Sequence, residues 1–261
     1  MTVAILIPAR YASSRFPGKP LVPLAGADGG EKSLIRRTWE AGCRVEGAAA
    51  VHILTDDDRI AAHAQGFGAS VLMTSERPRN GTERCAEALD QLDPMPDLVV
   101  NLQGDSPLTP PWFIEALIDA MAEDRTAAMA TPVLPCDGET LENFRVDRRD
   151  GRLGSTVAVT RPDGTAADFT KRALPDLTGG GGGYWHHVGV YAYRPDALRL
   201  YRSWDEGVLE RREGLEQLRF LENGAEVRCV PVEARGHAFW EVNNPVDVER
   251  VERLLARDGI L

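Results

Sequence analysis

The stretch that most limits what this chain can fold into is its opening, V-A-I-L-I-P-A-R-Y-A-S-S-R-F-P-G-K-P-L, from Val3 to Leu21. Val3 to Ile7 are five consecutive apolar residues running up to Pro8. An unbroken apolar run of this kind reads as a parallel strand buried on both faces. The loop that follows carries Arg10, Arg15 and Lys19 at open spacing, and Pro17, Gly18 and Pro20 favour turn and extended backbone. Cations on a loop at the carboxyl end of a buried strand suit a polyphosphate, because open α/β sheets bind ligands at that edge. Taken alone, the same cluster also fits a solvated surface loop.

The chain then alternates between strand and helix signals. Gly26 to Gly30 reads as a turn, and Ser33 as the N-cap of a helix through about Arg44. A-A-V-H-I-L-T-D reads as a strand, about Asp58 to Gln65 as a helix, Ser70 to Thr74 as a short strand, and Gly81 to Leu92 as a helix. Gly66-Phe67-Gly68 follows a helix and reads as a turn. D-L-V-V-N-L-Q-G-D is a strand with a buried centre. Pro110 and Pro111 open a helix with Trp112, Ile114, Leu117 and Met121 on one face, and Ala127 to Leu134 is a strand. This alternation implies a right-handed, mostly parallel sheet.

From Asp137 to about Tyr191 the rhythm changes to polar turns, D-R-R-D-G-R and R-P-D-G-T, with short strands and the run Gly179 to Gly183. The glycine run is expected to be a flexible connection or lid. W-H-H-V-G-V-Y-A-Y-R is a strand; helices follow over about Pro195 to Trp204 and Gly207 to Glu222, then the strand E-V-R-C-V-P-V. A closing helix from Pro245 to Leu255 buries Val246, Val248, Val251 and Leu254. The expectation is one α/β domain over residues 1–261 with a smaller lobe inserted at about 137–191.

A net charge of -10 argues against a nucleic-acid or membrane-surface role, so the local cations read as a site rather than a field. No apolar segment is long enough to span a bilayer and the N-terminus has no basic region before an apolar run, so the protein is expected to be cytoplasmic. Cys43, Cys85, Cys136 and Cys229 form no C-x-x-C pair and are expected to be reduced thiols. His186 and His187 have no further His or Cys at zinc-finger spacing, so no zinc site is expected.

Neither a P-loop nor a G-x-G-x-x-G fingerprint occurs, so phosphate binding falls to side-chain cations and loop amides, and a dehydrogenase is disfavoured. N-L-Q-G-D places Asp105 at the carboxyl end of a central strand, suited to Mg²⁺, which takes one or two protein carboxylates plus waters and substrate phosphates. Asp105 equally suits a turn cap before Ser106-Pro107. N-G-T-E-R opens a helix where Thr82 and Arg84 would meet a base or a phosphate; an ordinary N-cap is the plainer reading.

Together, P-A-R-Y-A-S-S-R-F-P-G-K-P-L, T-D-D at 55–57, M-T at 73–74, N-G-T-E-R, N-L-Q-G-D, H-V-G-V-Y-A-Y-R and L-E-R-R-E-G-L-E-Q-L-R resemble the 3-deoxy-manno-octulosonate (Kdo) cytidylyltransferase family over nearly the whole chain. The resemblance implies a Rossmann-like nucleotidyltransferase: a mostly parallel mixed sheet flanked by helices, with a smaller inserted lobe. It also implies a reaction, CTP plus a 2-keto-3-deoxy sugar acid giving the CMP-sugar and pyrophosphate, for lipopolysaccharide or capsule biosynthesis.

By the same resemblance, Arg10, Arg15 and Lys19 hold the triphosphate and neutralise the leaving pyrophosphate. Gly81, Thr82 and Arg84, with Pro8, Ala9 and Gln103, surround cytosine and ribose. Asp105 ligates Mg²⁺, while Lys171, His187, Tyr191, Glu213 and Gln217 occupy positions that face the sugar acid. The family works as a homodimer. Trp185, Val188, Val190 and Tyr193 are candidate contacts, or else core residues of the chain itself.

Three positions depart from the family pattern. A family V-D-T-P reads V-N-N-P here, so Asn243 takes the place of a second metal-binding Asp; Glu241 or Asp247 would be needed to restore the charge, and Asp247 is expected instead to favour the helix dipole. F-S-R-x-x-I-P reads F-T-K-R-A-L-P, placing Lys171 where an Arg would grip the acceptor carboxylate, with Arg172 one residue off. V-K-V-V reads V-A-V-T, so Ala158 replaces a Lys near the sugar. Two alternatives follow: a cytidylyltransferase for a different acidic sugar or a phosphonate, or a nucleotide-binding protein that has lost catalysis.

Overall fold

The computed structural model describes residues 1–13, 15–136, 138–149, 156–171, 184–237 and 239–261. Gly179 to Gly183 and Arg172 lie outside the described residues. The chain forms two compact units, Met1–Glu115 with Ala234–Leu261, and Ala116–Glu233. The lobe expected over 137–191 falls inside the second.

In the first unit, β1 (Val3–Pro8), β4 (Ala48–Thr55), β5 (Ser70–Met73) and β6 (Leu98–Leu102) make a parallel sheet in the order β5-β4-β1-β6. Every residue of β1 and β6 is buried, as their apolar runs require. A small hairpin, β2 (Pro23–Ala25) and β3 (Glu31–Ser33), spans the expected Gly26–Gly30 turn. Helix α1 (Leu34–Cys43) begins where expected, with the Ser33 hydroxyl accepting from Arg36 N at 3.3 Å. It lies on one sheet face, since Gly42 closes on Val51, Leu102 and Ile5 side chains. Helix α2 (Asp58–Gly66) joins that face through Phe67, whose ring meets Trp39 at 5.3 Å.

Helix α3 (Gly81–Ala88), continued by a short 3-10 turn over Leu89–Gln91, covers the opposite face, because Gly81 abuts the strand-alternate residues Asn101 and Gln103. Helix α4 (Pro111–Glu123) buries Phe113, Ile114, Leu117 and Met121. Phe113 therefore takes the place expected of Trp112, which is half-buried against His237.

In the second unit, β7 (Met129–Pro135) is the axis. Strand β12 (Val227–Pro231) runs parallel to it, while β10 (Tyr184–His187) and β11 (Val190–Tyr193) pair antiparallel on its other edge. The single strand expected from Trp185 onward is thus two, broken at Val188-Gly189. β8 (Val157–Thr160) and β9 (Ala166–Thr170) form a hairpin beside β10. R-P-D-G-T is its turn: Thr165 N and its hydroxyl donate to the Asp163 carboxylate at 2.9 and 2.7 Å.

Helix α5 (Gly138–Arg149) was not expected; D-R-R is its last turn rather than a loop. Its charged sequence lacks the apolar stripe that announces a packed helix, with Leu141 and Phe144 as its buried anchors. After α6 (Pro195–Ser203) the expected helix over 207–222 divides into α7 (Val208–Glu213) and α8 (Leu218–Glu222) at Gly214. Arg219 and Glu210 hold the two pieces together with bonds of 2.6 Å, both side chains almost fully buried.

The closing helix α9 (Val246–Arg257) belongs to the first unit. Its buried residues are Asp247, Val251 and Leu255, with Val248 and Leu254 partly buried against the same core; of the expected face only Val246 is exposed. Val251 and Leu255 pack with Leu24, Leu34, Leu108 and Val242. No helix among the described residues is long and apolar enough to cross a membrane.

Candidate functional site

At the carboxyl edge of the first unit's sheet, the ends of β1 and β6 converge because residue 104 is glycine. A Cβ there would stand 2.6 Å from the Pro8 carbonyl oxygen. The loop leaving β1 is folded back by Gly18, whose φ of 73° and N–H to Tyr11 O bond of 3.0 Å close it on the Tyr11 ring. That ring lies under the Arg59 guanidinium at 3.4 Å, and Arg59 is gripped by Asp57 at 3.0 and 2.6 Å. The bond from Arg59 holds the Asp57 carboxyl below the usual carboxylate range. T-D-D therefore acts as a clamp on the cation loop.

The clamp delivers Lys19 to Asp105, Nζ donating to Oδ2 at 2.6 Å. Arg15 Nη2 donates to Asn243 Oδ1 at 3.3 Å. Val242 N donates to the Asp105 carbonyl at 2.9 Å, which brings the 241–244 segment alongside N-L-Q-G-D. Residues 15, 19, 105 and 243, distant in sequence, thus form one cluster. Arg10 is exposed just past β1, and Pro8 and Ala9 are buried.

Asp247 is committed to shaping the turn. Its carboxylate accepts from Asn243 N at 2.9 Å, Asn244 N at 2.7 Å and Trp240 Nε1 at 3.1 Å. This is more than the dipole role expected of it. Glu241 Oε2 accepts from Asn243 Nδ2 at 3.3 Å. The donors gathered here are oxygens of Asp105, Asn243 and Glu241, which suit a hard cation such as Mg²⁺. Among the described residues no three His, Cys, Asp or Glu side chains form a metal-binding group. A cation here would draw its remaining ligands from water and phosphate, as Mg²⁺ does.

At the start of α3, the Asn80 side chain accepts from Glu83 N at 2.8 Å, the expected N-cap. Gly81 abuts Gln103, so two of the expected nucleotide residues meet. Thr82 and Arg84 are buried. Arg84 pairs with Asp56 at 3.2 Å and donates to the Thr74 hydroxyl, joining T-D-D to M-T. Burial lowers its pKa, opposed by Asp56.

The five residues expected on the acceptor side all lie in the second unit. The Thr131 hydroxyl has two carbonyls within reach, Val188 O at 3.1 Å and Val190 O at 2.9 Å, and its single proton goes to one of them. It therefore accepts from His187 Nε2 at 3.1 Å, so His187 carries its proton on Nε2 and leaves Nδ1 as an acceptor. Burial pushes the His187 pKa to about 3, with smaller contributions from His186 and Lys171.

The His187 ring stands 5.1 Å from Phe169 and 5.6 Å from Tyr191. Tyr191 donates to Gln217 Oε1 at 3.2 Å, and Gln217 Nε2 is buried with no partner among the described residues. Glu213 accepts from Lys171 N at 3.2 Å, while Lys171 Nζ donates to Gly214 O at 3.1 Å. Ala158 is fully buried in β8, and Val188, Val190 and Tyr193 are core residues of the chain itself.

Sequence reasoning passed over the supports: the Tyr11–Arg59–Asp57 clamp, the Asp56–Arg84 pair and Thr131. T-D-D was visible as a motif, but only tertiary contact reveals what it grips. Thr131 carries no local signal.

Comparison with known proteins fits this geometry. A cytidylyltransferase family model matches residues 4–227. The 3-deoxy-manno-octulosonate cytidylyltransferase of Maricaulis maris is 38% identical over the full length of both chains. That of Anaeromyxobacter dehalogenans is 41% identical, covering 97% of this chain and 98% of its own. The solved structure of a CMP:2-keto-3-deoxy-manno-octonic acid synthetase complexed with CTP superposes with a TM-score of 0.84 at 31% identity, covering 99% of this chain and 100% of that one. A family model that spans most of the chain, and relatives matched from end to end, agree: the chain belongs to the cytidylyltransferase family, among the 3-deoxy-manno-octulosonate cytidylyltransferases.

Proposed function

We propose that the protein transfers the cytidylyl group of CTP to a 2-keto-3-deoxy sugar acid, Kdo, in lipopolysaccharide or capsule biosynthesis. The observation that carries this reading is the pairing of the loop cations with the oxygen ligands, Lys19 with Asp105 and Arg15 with Asn243. A polyphosphate with its cation is what such a set of opposed charges is built to take up.

In this reading Arg10, Arg15 and Lys19 bind the triphosphate and neutralise the charge that gathers on pyrophosphate as it leaves. Pro8, Ala9, Gly81 and Gln103 line the base and ribose, and Thr82 and Arg84 hold that wall from within. Lys171, His187, Tyr191, Glu213 and Gln217 serve the acceptor. Neutral His187 accepts a hydrogen bond from a sugar hydroxyl at Nδ1, and Lys171 meets the carboxylate. The anomeric hydroxyl gives up its proton to solvent as its oxygen attacks the α-phosphorus in line, the bond to the β-phosphate breaks, and pyrophosphate departs. Mg²⁺, held by Asp105 and Asn243, when bound supplies charge neutralisation at the phosphates and acidifies the attacking hydroxyl.

The family resemblance supports a cytoplasmic homodimer. Of the contacts considered from sequence, Trp185 alone keeps partial exposure in the single chain. Lys171 in an arginine's place favours a second reading, in which the acceptor is a different acidic sugar.

The test is pyrophosphate release from CTP with Mg²⁺, using Kdo and a panel of other 2-keto sugar acids. Release with Kdo is expected. Release only with another acid would replace the acceptor. Silence with every acid, in protein that still binds CTP, would refute the catalytic reading and implicate Asn243.

A further inference from the structure

Asn101 stands on β6 with its whole side chain buried, and neither its Oδ1 nor its Nδ2 has a hydrogen-bond partner among the described residues. Folded chains seldom leave one buried amide atom in that state, let alone both, because each costs the full desolvation of a polar group. The position of this amide is specific. Gln103 follows directly on β6, two residues after Asn101, and both side chains lie beside Gly81. A Cβ built on Gly81, the first residue of α3, would lie 3.2 Å from Asn101 Nδ2 and 2.8 and 2.9 Å from Gln103 Nε2 and Oε1. Both amides thus press against the same spot of glycine backbone, at the corner between α3 and β6. Gln103 is partly exposed there and Asn101 lies beneath it.

We infer that Asn101 is a positioning residue that sets which nucleobase the protein accepts, acting through Gln103; the inference rests on the cytidylyl-transfer reading above. A Gln amide presents a donor at one end and an acceptor at the other, so the end that faces the base decides between cytosine and uracil. With Asn101 Nδ2 donating to Gln103 Oε1 in the nucleotide complex, Gln103 must turn Nε2–H outward. Cytosine offers an acceptor at N3 to that donor, whereas uracil carries N3–H and meets it donor to donor. The buried amide, which has no partner among the described residues, is then completed when the base seats, and its desolvation is offset only for the matching base.

Two variants test this, each measured for thermal unfolding alone and with CTP, and for kcat and KM with CTP and with UTP. Asn101→Leu keeps the branched shape and removes both unpaired atoms. It is expected to unfold at the same temperature or higher, with KM for CTP raised more than kcat is lowered and the CTP-over-UTP preference reduced about tenfold. Asn101→Asp, with no donor when ionised, should turn Gln103 the other way and move the preference towards UTP.

An unaltered CTP-over-UTP preference in both variants, with the unfolding temperature lowered, would overturn the inference and make Asn101 an ordinary core asparagine. Failure of CTP to raise the unfolding temperature of the unaltered protein would instead overturn the cytidylyl reading itself.

Discussion

Asn243→Asp tests the metal cluster through a single atom. The change replaces Nδ2, which donates to Glu241 Oε2 at 3.3 Å, with a second carboxylate oxygen. Two unit charges about 4 Å apart repel by about 4 kcal/mol at an effective dielectric of about 20. Arg15 Nη2, at 3.3 Å from Asn243 Oδ1, attracts the new charge by a comparable amount. Solvent screening reduces both contributions and they largely cancel, so the lost Nδ2 hydrogen bond remains, a net loss of about 1 kcal/mol without metal. For a chain of this size, that lowers the unfolding temperature by about 2–4 °C. With Mg²⁺ the sign reverses, because the added carboxylate becomes a ligand, and tenfold tighter binding corresponds to about 1.4 kcal/mol.

The assay is thermal unfolding with and without Mg²⁺, together with a Mg²⁺ titration of pyrophosphate release. Expected are a lower midpoint in chelator, a larger gain on adding Mg²⁺, and half-saturation at a metal concentration about tenfold lower. A Mg²⁺ response identical to that of the unaltered protein in both measurements would refute Asn243 as a ligand.

Lys19→Met removes the partner of Asp105 and one cation of the triphosphate loop, so kcat should fall about 10²–10³-fold, read from initial rates at saturating CTP. Arg219→Met strands the buried Glu210 carboxylate and should cost about 3–5 kcal/mol in denaturant unfolding, whereas replacing both partners with apolar residues should cost less. His187 is depressed from 6.5 to about 3 by burial, so the unfolded chain takes up a proton that the folded chain refuses. Stability is therefore intact above pH 6.5 and falls towards pH 3, with a slope approaching about 1.4 kcal/mol per pH unit, and His187→Phe should flatten the pH dependence of the unfolding free energy across that window.

Much of the sheet was legible because its strands are buried on both faces and so keep unbroken apolar runs; Val3–Pro8 and Leu98–Leu102 needed no context. Caps were legible for the same local reason, with Ser33 and Asn80 each accepting from a backbone amide three residues on. The errors fell where local pattern is weak. Helix α5 is half charged residues, the 207–222 segment hides a break at Gly214, and α9 turns so that Asp247 rather than Val246 goes inside. In the last case hydrogen bonds won over hydropathy, since Asp247 satisfies the amides of Asn243 and Asn244.

The sequence by itself determined the alternating α/β layout, the three loop cations, the carboxylate ending β6 and the family to which these motifs belong, because each is written in contiguous residues. Tertiary structure alone decided which of them meet. Arg15 reaches Asn243 across 228 positions and Lys19 reaches Asp105 across 86. It also decided that Arg84 is spent inside on Asp56, that Thr131 fixes the proton of His187, and that the Asn101 amide is buried without a partner among the described residues. A carboxylate, an imidazole or an amide has its chemistry set by the groups within a few ångströms of it, and in a folded chain those groups come from distant parts of the sequence.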